Sequence, residues 1–155
     1  QLPGQGQLDA LLKQRGLQEV TLKVVGYGLQ GVRPQYLDVL ARYVGYTRLV
    51  NLKSTLTDGY NIHLSNNPGH WSGGTCFGDS GGPIFLGNTI VAVNSFVLNW
   101  NCKGAGFGYR VDIPDARTDL PRAGRRSFPG NGLIRRDLPV VEAGGLLSTL
   151  YLSGS

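Results

Sequence analysis

Ser80 stands in the run Gly-Thr-Cys-Phe-Gly-Asp-Ser-Gly-Gly-Pro over residues 74–83, and the residue types around it suit a nucleophile. A serine hydroxyl attacks poorly until a base takes its proton, and the oxyanion formed on the attacked carbonyl needs donors. Glycine lets the backbone curl so that successive N–H groups converge on one point. Gly78-Asp79-Ser80 supplies such a turn, with the N–H groups of Gly78 and Ser80 directed at one spot. The glycines and Pro83 exclude helix and regular strand here. An arbitrary Gly-Asp-Ser-Gly reads as a plain turn held by an Asx-type bond from the aspartate. Cys76 ahead of the serine and Pro83 after it make this run far more specific.

Two other glycine patterns satisfy known motifs without their context. Gly26, Gly28 and Gly31 spell a dinucleotide-binding fingerprint after an expected strand. No βαβ pattern follows, Pro34 interrupts the would-be helix, and no acid ends a second strand ~20 residues on, so they read as glycines ending a strand and opening a loop. Gly78, Ser80 and Gly82 also spell a nucleophile elbow, which needs an apolar strand before it and a helix after it. Neither flank fits.

The elements that must position Ser80 read as short strands. Val20, Leu22 and Val24 alternate with Thr21 and Lys23. Further strands are expected over 42–52 and in Gly-Tyr-Asn-Ile-His-Leu-Ser, stopped by Asn67-Pro68-Gly69. The arms Pro-Ile-Phe-Leu and Thr-Ile-Val-Ala-Val-Asn-Ser-Phe flank Gly87-Asn88 as a hairpin, and Gly-Phe-Gly-Tyr-Arg-Val-Asp-Ile is a last strand before Pro114. Leu8 to Gly16 forms one or two helical turns. Many short strands between turn signals indicate an all-β barrel or sandwich. Past residue 117 the texture changes to prolines and paired arginines without a clear period, read as a loosely organised tail. Its last, apolar residues are expected to pack as a strand or short helix.

At 155 residues the chain suffices for a domain with a hydrophobic core. Ordinary apolar content and 16% charged residues argue against bulk disorder. No apolar run approaches the ~20 residues that span a bilayer. The net charge of +5 is modest, and six of the eleven arginines lie beyond residue 115, so neither a nucleic-acid nor a membrane partner is expected. Cys76 and Cys102 fit one disulfide and an oxidising compartment. No metal is expected, since His63 and His70 lack a ligand spacing. The absence of methionine indicates either a processed start or a piece of something longer.

Gly-Thr-Cys-Phe-Gly-Asp-Ser-Gly-Gly-Pro-Ile-Phe, then Val-Ala-Val-Asn-Ser-Phe-Val, a cysteine, and Gly-Phe-Gly-Tyr-Arg-Val-Asp-Ile resemble the C-terminal half of chymotrypsin-like (trypsin-family) serine proteases, most of all secreted bacterial members. The resemblance runs from Val20 to Arg117. It implies an antiparallel barrel, the second of a two-barrel fold, over residues 1–117, with a divergent tail over 118–155. It implies a secreted serine endopeptidase that needs no cofactor and acts on a polypeptide substrate. Ser80 would be the nucleophile, with the Gly78 and Ser80 N–H groups as oxyanion hole. Asp79 would anchor the turn, typically to a free N-terminus after activation. Cys76 would pair with Cys102 and brace the specificity pocket. Ser95-Phe96-Val97 would bond the substrate backbone, and Thr75 would join them in binding substrate. Gly74 would form the pocket floor, Val97 one wall and Gly106 the other, leaving no charge and favouring a small or medium apolar side chain.

The mechanism also needs a histidine base and an aspartate that orients it. The histidine segment of the family is absent. His63 lies in an expected strand and His70 in the loop before Cys76, each read as structural, and none of Asp9, Asp38 or Asp58 carries the orienting motif. The chain thus reads as a second barrel whose first barrel, with the base, is an expected partner, and which alone is inactive. Its opened face would be an apolar patch prone to association. Two alternatives stay open: a catalytically dead homologue that binds peptide or protein through the remaining cleft, and a serine hydrolase of another kind. For the tail, a divergent terminus, a frameshift product and a linker all fit.

Overall fold

The computed structural model describes residues 1–13, 16, 19–31, 36–67, 73–116 and 140–142. Six strands carry the chain: β1 (Thr21–Gly26), β2 (Arg42–Asn51), β3 (Asn61–Ser65), β4 (Pro83–Leu86), β5 (Thr89–Val97) and β6 (Ala105–Arg110). The alternation expected in β1 is seen: Leu22 and Val24 are buried while Thr21 is exposed. β4 and β5 form the expected hairpin around Gly87-Asn88, with Leu86 opposite Thr89.

Every pairing among these strands is antiparallel, in the order β1-β4-β5-β6-β3-β2, and β2 pairs back onto β1 from Thr21↔Arg48 to Gly26↔Tyr43. The sheet is therefore a closed six-strand barrel, as the sequence led us to expect. No helix follows Ser80, since Gly82 leads directly into β4. The elbow reading fails there. β1 runs antiparallel to β2, which leaves no βαβ unit for the dinucleotide fingerprint.

The barrel interior is filled by Leu22, Val24, Leu49, Ile62, Leu64, Ile84, Val91 and Ala92, with Leu8 and Leu52 entering from outside the strands. Leu8 opens a 3-10 helix, Leu8–Lys13, that lies across one end of the barrel. Asp112 holds it there: its Oδ2 accepts the Leu8 N–H at 2.8 Å and its carbonyl accepts the Gly6 N–H at 2.9 Å. The Arg110 guanidinium grips both Asp112 oxygens at 2.9 Å and reaches Asp9 at 3.0 Å. Burial works against the Arg110 charge, but the two carboxylates outweigh it and hold its pKa above the ordinary value.

In the tail, Val140–Glu142 form a short strand, β7, parallel to β2 at Arg42–Val44. The rest of the expected loose tail lies outside the described residues.

Candidate active site

Ser80 sits where the 74–82 loop returns to the barrel. Two bonds tie this return to β5, from Gly81 N–H to the Asn94 carbonyl at 2.9 Å and from Asn94 N–H to the Gly82 carbonyl at 2.8 Å. The preceding turn is closed by Asp79 N–H on the Cys76 carbonyl at 3.2 Å. Gly78 carries a φ of +96°, and a Cβ there would lie 3.0 Å from the Gly28 Cα, so both conformation and space require glycine. Among the described residues, neither the Gly78 nor the Ser80 N–H donates to a protein acceptor. Two unspent donors thus flank an exposed serine.

Asp79 turns inward from this loop. Its carboxylate accepts the Gly28 N–H at 2.8 Å and the Cys76 N–H at 2.9 Å. Burial pushes its pKa up, and those two N–H groups only partly offset the shift. Gly26 and Gly28 lie against the carboxylate, and a Cβ on either would collide with it. Two of the three glycines of the apparent fingerprint, Gly26 and Gly28, therefore make room for Asp79, a role the local pattern did not show.

Cys76 and Cys102 form a disulfide, with Cα atoms 5.2 Å apart, that fastens the loop to the segment between β5 and β6. Beside it lies a recess of about 160 Å³ lined by Thr75, Cys76, Phe77, Asp79, Ser80, Asn94, Ser95, Phe96 and Val97. Thr75, Ser95, Phe96 and Val97 thus meet around Ser80. Gly74 and Gly106, expected as floor and wall, are not among the residues lining this recess; both lie against Asn66, whose Oδ1 would be 2.5 Å from a Gly74 Cβ and 2.7 Å from a Gly106 Cβ. Asn66 is buried and clamps Thr75, accepting its N–H at 3.2 Å and donating to its carbonyl at 2.9 Å. Sequence reading missed Asn66 and Asn94. The signal for Asn94 was present as the lone amide in an otherwise β-branched and alanine run.

The Ser80 hydroxyl donates to the Ser95 carbonyl at 3.2 Å, an acceptor that cannot act as a general base. His63 stands on β3 with its ring stacked on Phe107 at 5.0 Å, and Phe107 stacks in turn on Phe96 at 4.7 Å. Its burial there lowers its pKa. No described carboxylate bonds His63. Asp9 is held by Arg110, Asp58 occupies a turn at φ +46°, and Asp38 is exposed in the loop before β2. His70 lies outside the described residues.

A closed antiparallel barrel with a Gly-Asp-Ser-Gly-Gly-Pro loop braced by a disulfide defines the chymotrypsin-like class. The family model "Trypsin" matches residues 9–116, and the chain belongs to that family. Among solved structures it is similar to human heparin binding protein (20% identity, TM-score 0.52, covering 84% of this chain and 52% of that one). It is likewise similar to HL collagenase (20% identity, TM-score 0.56, covering 79% and 53%). The chain spans about half the length of these structures. Comparison with curated proteins returned no match.

Proposed function

We propose that the chain is the nucleophile-bearing half of a secreted serine endopeptidase. The carrying observation is the pair of N–H groups, Gly78 and Ser80, left without acceptors among the described residues beside an exposed hydroxyl. In this reading Ser80 Oγ attacks the scissile carbonyl while a base on a partner barrel takes its proton. The two N–H groups stabilise the oxyanion, and the leaving amine departs with the proton. Water then cleaves the ester on Ser80 by the reverse proton traffic. Asp79 fixes the turn. Ser95, Phe96 and Val97 present the edge along which substrate backbone lies, with Thr75 lining the recess and Gly74 and Gly106 making room for the Asn66 that clamps it. The disulfide supports an oxidising, extracellular setting. No cofactor takes part.

A second reading is favoured by the contacts of Ser80 itself, whose hydroxyl is spent on the Ser95 carbonyl rather than on an imidazole. This is a peptide- or protein-binding homologue without turnover. Active-site titration with a serine-directed phosphonate separates the two. The chain alone should not label Ser80 above a Ser80→Ala control, because among the described residues no base bonds the Ser80 hydroxyl. Mixed with the barrel encoded upstream of Gln1 in its gene, it should label rapidly and stoichiometrically. Rapid labelling of the chain alone overturns the half-enzyme account. No labelling in the mixture, or no upstream histidine-bearing barrel, selects the binding homologue.

A further inference from the structure

Asn94 is a buried amide left empty-handed. It is 5% exposed, and among the described residues both its amide nitrogen and its amide oxygen are buried without a hydrogen-bond partner. Its backbone groups are already spent on Gly81 and Gly82. Folded proteins keep such groups few, because an unmade buried hydrogen bond costs more than a made one returns. The neighbours Val91, Ala92 and Val93 show that an aliphatic residue suits this strand, and valine at 94 would remove the cost. Asn94 is among the residues that line the Ser80 recess, with Thr75 and Ser95, and its two amide atoms have almost no exposed surface there.

We infer that Asn94 is a specificity-determining residue that selects a substrate side chain bearing a primary amide, asparagine or glutamine, for the recess beside Ser80. This rests on the peptide-binding reading of that site. The recess, at about 160 Å³, is well below the ~300 Å³ at which pockets begin to hold whole small molecules, and suits one short side chain. No lysine or arginine lines it, and the carboxylate of Asp79 is occupied by two N–H groups, so a charged guest finds no counter-ion. An apolar guest fills the space but leaves both amide atoms of Asn94 unpaired. A primary amide brings the matching acceptor and donors. The terminal torsion of asparagine is soft, and a turn about that one bond presents Nδ2 or Oδ1 to the guest. Under this inference the apolar preference implied by the resemblance becomes a polar one, because Asn94 joins the lining.

The test uses the ¹⁵N-labelled chain and N-acetyl tetrapeptides that end in glutamine or asparagine, against the same peptides ending in methionine or leucine. The Asn94 side-chain NH₂ signals, identified by their loss in Asn94→Val, should shift with the amide peptides. Those peptides should bind at least about tenfold more tightly than the apolar ones, since a site built for hydrogen bonds rejects a guest that lacks them. The advantage should vanish in Asn94→Val. Equal or tighter binding of methionine and leucine peptides, an amide advantage that survives in Asn94→Val, or NH₂ signals that do not move would overturn the inference while leaving the peptide-binding reading intact. Failure of all four peptides to bind would overturn both. Should Asn94→Val not fold, the glutamine-against-methionine comparison in the native chain decides alone.

Discussion

Two clusters of polar groups stand on the same pair of strands and their flanks and are treated in opposite ways. Around Arg110 every strong group is answered: both Asp112 oxygens take the guanidinium, and one also takes a backbone N–H. Around Ser80, among the described residues, two exposed N–H groups are free of acceptors and the buried Asn94 amide is unpartnered. The difference teaches how to tell scaffold from site in this molecule. A buried network whose members are all satisfied rigidifies, while one left incomplete costs stability that only a guest can return.

The sharpest way to break the contrast is at the closed cluster. Arg110→Leu leaves the fully buried Asp112 carboxylate without its counter-ion and should cost about 3–5 kcal/mol, read from urea denaturation. The double variant Arg110→Leu/Asp112→Leu should recover much of that loss. If the single variant is as stable as the native chain, the network is not the clamp described here.

At the open cluster the sign should reverse. Asn94→Val should stabilise the chain by about 1 kcal/mol, because it removes an amide whose hydrogen bonds are unmade. Destabilisation would mean that the amide is satisfied in solution and that the two clusters do not differ as argued.

The smallest effect concerns His63, which lies between the extremes. Its folded pKa is depressed by burial against Phe107, so the fold favours the neutral ring. The associated stability is present above the unfolded pKa of about 6.5 and is lost as pH falls from there through the folded pKa. Denaturation midpoints between neutral and mildly acid pH should show this slope, and His63→Phe should remove it. An unchanged slope in that variant would assign the acid sensitivity elsewhere.

Much of the barrel was legible because its signals are local. Val20 to Val24 alternate, Gly87-Asn88 marks a hairpin, and the Ser80 run is distinctive as a string. What escaped depends on contacts between residues far apart in the chain. Gly28 meets Asp79 across 51 residues and Arg110 meets Asp9 across 101, and nothing near either partner announces the other. Asn66 and Asn94 were hidden differently. Asn66 stands among the polar residues that end β3 and Asn94 beside Ser95 in β5, and only the fold decides whether such a residue faces solvent, a clamp or a recess. The stack of His63, Phe107 and Phe96 follows from the register His63↔Phe107 and Phe96↔Phe107, which alternation alone does not fix.

The closure of the barrel bears on how anything could complete this site. Because β2 returns to β1, the ring spends its backbone donors and acceptors on itself, and the one strand added among the described residues, β7, takes the short stretch Arg42–Val44. A companion barrel or a binding protein therefore has no long ladder to extend. Side chains are what such a partner would find instead, as in the groove of about 550 Å³ where Lys23, Tyr27, Arg42 and Phe85 approach the Ser80 loop. Such a contact can be tuned or dissolved one side chain at a time without unravelling a strand.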